Sequence, residues 1–174
     1  MNEEILKLYL DDEYISKNPS LDAQDTSWKV SKIIPLIDTF ISDFDKEAIN
    51  MLDVGGGAGL ICNQICTYIR KTYNRKINKF LLDLSPGILE IQKKNNPDFK
   101  LALNEDVRKT SLYDKQIDLT LIIDVLEHIP NPEIALREIR RITKFAIFKV
   151  PLENNLYNNI RNIFTRGRQR KDMR

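Results

Sequence analysis

Asp53-Val54-Gly55-Gly56-Gly57-Ala58-Gly59 is the segment best equipped for chemistry, because it holds four of the six glycines in the chain. Glycine at that density implies a loop where the backbone turns left-handed or approaches a ligand closely. If a helix follows, its unpaired N–H groups face the same ligand. A dinucleotide fingerprint needs a third glycine where this chain has Leu60, and an acid at position 53 would repel a pyrophosphate. The same acid suits a cationic ligand. Further along stand Asp83, Asp106, Asp124, Glu127 and His128, the last being the only histidine. His128 could serve as general base to a substrate hydroxyl, present a dipole near the reacting atom, or simply fix a turn. Cys62 and Cys66 lie four apart on a helical pattern and read as core packing rather than nucleophiles.

Hydrophobic spacing supplies the elements that must hold these residues. Short apolar runs at 50–54, 79–84, 99–103, 117–125 and 144–150 read as strands, and 60–73, 86–95 and 132–143 have helical spacing. Strands alternating with helices predict an α/β fold, a mostly parallel Rossmann-like sheet with helices on both faces. In such sheets ligands sit beyond the carboxyl ends of the strands, where Asp53, Asp83, Asp106 and Asp124 all fall. Residues 26–42 form an amphipathic helix that Pro35 would kink or divide. A shorter helix is expected at 2–10. Trp28 reads either as a lid over the substrate or as a core anchor.

Taken in order, these motifs resemble the class I S-adenosylmethionine-dependent methyltransferases. Asp53-x-Gly55-x-Gly57-x-Gly59 resembles motif I, and Leu81-Leu82-Asp83-Leu84-Ser85 the acid after strand 2. Asn104-Glu105-Asp106-Val107 resembles the loop after strand 3. Ile122-Ile123-Asp124-Val125-Leu126-Glu127-His128-Ile129 resembles the "DVLEHI" segment of the small-molecule branch. The resemblance covers about residues 48–151 and implies S-adenosyl-L-methionine as cofactor and strand order 3-2-1-4-5. It implies that Gly55, Gly57 and Gly59 line the methionine part with Asp53 beneath, and that Asp83 accepts from the ribose hydroxyls. Leu84 would pack on the adenine, Asp106 would accept from its amino group, and the Val107 N–H would donate to its ring. Asp124 and Val125 would border the methyl group and the acceptor.

The family's strands 6 and 7 find no match after Val150, where 152–164 reads as a helix. The sheet would then end on an exposed strand 5, which a homo- or hetero-oligomeric partner would cover, and the chain reads as a fragment or an unusually short member. The expected organisation is a helical cap over 1–45, the cofactor-binding domain over 46–165 and a basic tail over 166–174. The function expected from the resemblance is methyl transfer to a small-molecule acceptor. The alternatives are a non-catalytic or partner-dependent binding module and, more remotely, an NAD-dependent oxidoreductase.

Composition narrows the classes further. At 174 residues, 42% hydrophobic and 30% charged, the chain suits one folded domain rather than disorder. No apolar run is long enough to span a membrane. Two cysteines without a disulfide framework point to a reducing cytoplasm. A lone histidine excludes a zinc site with several histidine ligands. Asp124 with Glu153 and Asn154 is a weak candidate for magnesium, as in catechol-type enzymes, and no metal is expected. Seven acids and two lysines lie in residues 1–25, and six bases with one acid in 161–174. The basic end reads as a solvated tail rather than a nucleic-acid arm. Asp124-Val125-Leu126-Glu127 also stands where base-methylating branches carry an Asn/Asp-Pro-Pro-aromatic motif.

Overall fold

Side chains alternate along the strands, so successive buried residues pack on opposite faces of one sheet, whose central strands are buried on both sides. The computed structural model describes Leu21 and residues 25–151. The expected helices at 2–10 and 152–164, the basic tail, Glu153 and Asn154 lie outside the described residues. Helix α1 spans Thr26–Ser42 and is followed by β1 (Ala48–Val54), α2 (Leu60–Tyr73), β2 (Lys76–Leu82) and α3 (Pro86–Asn95). Then come β3 (Phe99–Leu103), β4 (Ile117–Ile123), a short 3-10 turn (Leu126–His128), α4 (Pro132–Ile142) and β5 (Thr143–Lys149). The strands pair in the order β3-β2-β1-β4-β5, all parallel. The expected fold and strand order are therefore what forms.

Register aligns the site. Asp53 on β1 lies beside Leu81 of β2 and Leu121 of β4, so the carboxyl ends of the central strands finish together. Ile49, Met51, Ile77, Leu81, Leu119 and Leu121 face α1 and α2, packing on Val30, Ile33, Ile37, Ile41, Cys62, Ile65, Cys66 and Ile69. Leu52, Val54, Phe80, Leu82 and Ile122 point the other way, onto Ala135, Ile139 and Ile142 of α4. Both cysteines are buried and free, as core packing requires.

Some boundaries differ from the sequence reading. Pro35 does not divide α1, which runs unbroken with the proline on its exposed side. There the carbonyl that loses its helical donor faces water. Strand β4 stops at Ile123, two residues short of expectation, because Asp124 takes φ of +56° and the chain leaves the sheet. Trp28 is 58% exposed, so the core-anchor role does not hold, and its ring lies 5.9 Å from the Lys32 Nζ instead. Among the described residues the sheet ends on β5, whose Phe145 and Phe148 are exposed.

Candidate functional site

Burial of a carboxylate is the first oddity at the carboxyl edge. Asp53, one residue before the end of β1, is only 2% exposed, and its Oδ2 has no hydrogen-bond partner among the described residues. A Cβ at Gly56 would lie 1.9 Å from that oxygen, so the loop folds directly onto the acid and only glycine fits. Gly59 closes the loop as N-cap of α2 with φ of +72°, pressed against the Asn96 amide. Burial, and then the neighbouring charge of Asp83, push the Asp53 carboxyl up to about 7.

Asp83 follows β2. Its Oδ1 accepts from the Ser85 N–H at 2.9 Å and its Oδ2 from the Gln92 amide at 3.3 Å. Ser85 in turn caps α3, accepting from the Ile88 N–H at 3.2 Å. Burial raises the Asp83 carboxyl to about 6 although backbone N–H groups of Ser85 and Leu84 pull it down. A carboxylate oxygen accommodates more than one donor, so both retain acceptor capacity.

Asp106 is engaged differently. Arg108 grips it through Nε at 2.9 and 3.0 Å and through Nη2 at 2.5 Å, and the Arg108 N–H donates at 2.8 Å. That guanidinium holds the Asp106 carboxyl below its usual range despite partial burial. Asp124 is held by its backbone N–H to the Lys149 carbonyl at 2.9 Å, and by the Lys149 ammonium at 2.5 and 2.6 Å. A second ammonium, Lys29 of α1, stands 3.1 Å away. Cations thus occupy the carboxylate of the magnesium candidate.

One cavity of about 170 Å³ collects these groups. Asp53, Gly55, Gly57, Asp83, Leu84, Asp106, Val107, Asp124 and His128 all line it. Gly59 does not; it acts on the loop from behind. Exposed His128 sits at the end of the 3-10 turn. Beside it, the Glu127 Oε2 is buried without a partner among the described residues, and burial raises that carboxyl.

A family model described as a methyltransferase domain matches residues 52–145, more than half the chain. The chain belongs to this methyltransferase domain family. No curated protein matches it. Solved structures share the fold. The [4+2]-cyclase SpnF is similar with a TM-score of 0.50 and 19% identity over 63% of this chain. A Pyrococcus horikoshii protein reaches 0.58 with 18% identity over 95%. A Methanococcus maripaludis protein assigned to the S-adenosyl-L-methionine-dependent methyltransferases reaches 0.53 with 22% identity over 83%. The chain spans 41% of the cyclase's length and 68% of each of the other two.

For a methyltransferase domain, the cavity's chemistry is a fit to S-adenosylmethionine. An unpartnered buried carboxylate beside a second one is a poor place for an anion and a good one for a sulfonium cation. Sequence reasoning missed Gly56, Arg108, Lys29 and Lys149. Gly56 was legible as part of the glycine run, but nothing local tied it to Asp53. Nothing in the sequence pattern links Arg108, Lys29 or Lys149 to the acids that they meet in the fold.

Proposed function

We propose that this methyltransferase domain binds S-adenosylmethionine and transfers its methyl group to a small-molecule acceptor. The observation that carries the reading is Asp53 and Asp83 ending adjacent strands around the Gly55–Gly57 loop in one cavity. When bound, the cofactor supplies an electrophilic methyl on a sulfonium centre. The chain's own residues then have distinct tasks. Asp83 accepts the ribose hydroxyls, with Leu84 beside the adenine. Asp53 stands beneath the methionine part as the negative partner of the cation. Val107 offers its N–H to the adenine ring.

Asp106 serves the adenine amino group only with the oxygen surface that Arg108 leaves over. Asp124 and Val125 border the acceptor, and His128 at the rim is placed to take its proton. The α1 residues Thr26 and Lys29 close the wall on that side, which supports a cap that selects the acceptor. Most of the barrier lowering comes from in-line positioning and exclusion of water.

Calorimetry on the full chain tests the reading. S-adenosylmethionine and S-adenosylhomocysteine should bind, and NAD should not. Asp83→Ala should weaken both by about 5- to 150-fold, since removing an acceptor from buried hydroxyls costs roughly 1–3 kcal/mol. A folded protein that binds neither compound would sink it. A panel of small acceptors, assayed for methyl transfer, then separates an enzyme from a module that binds without turnover.

A further inference from the structure

Lys29 and Asp124 line the far wall of the cavity, and Lys149 reaches the same carboxylate from outside that lining. Lys29 approaches the Asp124 Oδ2 at 3.1 Å, and its side chain is only 10% exposed. Lys149 already holds both oxygens of the same carboxylate, at 2.5 and 2.6 Å. Among the described residues Asp124 is the sole acid within 4 Å of either ammonium. Glu127 lies close by, but its buried Oε2 makes no hydrogen bond among those residues, and it comes within 4 Å of neither ammonium. His128 is the remaining titratable group on this side, and it brings no negative charge. A lysine nine-tenths buried bears a desolvation cost, and this one shares its only carboxylate partner among the described residues with a second ammonium. The cofactor's sulfonium would add one more positive charge to the same space. Such a wall favours an anion.

We propose that Lys29, braced by Asp124 and Lys149, binds an anionic group of the methyl acceptor, a carboxylate or a phosphate. Lysine meets either as a compact point charge. The inference rests on the function proposed above and names its substrate class. Lys29 belongs to α1, so the same helix that closes the cavity carries the group that selects the acceptor.

The test titrates benzoate, neutral benzamide and inorganic phosphate into the full chain saturated with S-adenosylhomocysteine, followed by calorimetry. Benzoate or phosphate should bind at least about tenfold more tightly than benzamide, and the tighter of the two names the anion. Lys29→Met should weaken that binding about tenfold and leave S-adenosylhomocysteine affinity unchanged, which also reports that the variant is folded. Benzamide binding as well as benzoate, anion affinity unaltered by the variant, or no anion binding would overturn the proposal. A parallel loss of S-adenosylhomocysteine affinity would overturn it too, by assigning Lys29 to the cofactor's own carboxylate. If wild type fails to bind S-adenosylhomocysteine, the functional reading falls first. The anion titrations on the cofactor-free chain then still decide the charge preference of the wall.

Discussion

Asp53 holds its proton near neutrality because it is buried and faces Asp83. Its carboxyl value is raised from 3.8 to about 7, so the folded chain binds a proton that the unfolded chain has released. The resulting stability is complete below the ordinary value and is lost as pH rises through about 7. A cationic ligand reverses the preference, since it favours the ionised acid. S-adenosylmethionine should therefore gain on its neutral-sulfur product as pH rises from about 6 to about 8, and Asp53→Asn should abolish that gain. Competition binding at several pH values measures the ratio, and a flat profile in the wild type contradicts the coupling. Gly56 offers a steric test. Its hypothetical Cβ collides with the Asp53 carboxylate at 1.9 Å, so Gly56→Ala should cost about 1–3 kcal/mol of stability in urea unfolding, the range for overpacking.

At the scale of elements, the glycine loop is fastened by a residue that a sequence pattern assigns to the surface. Lys79 lies between Ile77 and Leu81 on β2 and shares their inward face, where it is fully buried. Its ammonium donates to Asn63 on α2 at 3.2 Å, to Asn96 beyond α3 at 3.1 Å and to Asp98 at 2.6 Å. Asn96 passes the constraint on, donating to the Gly59 carbonyl at 3.0 Å. Lys79→Met should leave both asparagine oxygens without a donor and destabilise the chain by about 1–3 kcal/mol. Thermal unfolding measures that loss.

This lysine also marks where sequence reasoning stops. Strand and helix identities follow from apolar spacing, and α2, α3 and β3 begin and end where the spacing says. The Asp residues at the ends of β1 to β4 were legible because each lies at or just beyond the carboxyl end of an apolar run. Partners of those acids were not, since Lys149 lies 25 residues from Asp124 in the chain. No local pattern distinguishes an inward lysine from a solvated one. The end of β4 was misjudged for a related reason: Val125 continues the apolar run, but the left-handed turn at Asp124 breaks the ladder first.

For the whole molecule, ligand binding and folding are linked. Loops from four strands and one turn of α1 meet around a single cavity, so an occupant braces segments from Leu21 to Pro130 at once. Saturation at a hundredfold excess over Kd should add about 2.7 kcal/mol. For a chain of this size that corresponds to a rise in Tm of roughly 5–10 °C, read by differential scanning fluorimetry with S-adenosylhomocysteine. NAD at equal concentration should leave Tm unchanged. No described helix is long and apolar enough to cross a membrane.

Helix α1 stands apart from the strand-helix alternation. It precedes β1, and lays one apolar stripe on α2 and β5. The floor that holds the acids is encoded between residues 48 and 107, whereas Thr26 and Lys29 come from a separate stretch upstream. On the reading proposed above, the acceptor's surroundings are shared between this helix of seventeen residues and Asp124, Val125 and His128 after β4. Exchanging its inward polar positions while keeping Val30, Ile33, Ile37 and Ile41 would redirect the chemistry to a new acceptor and leave the cofactor floor as it is.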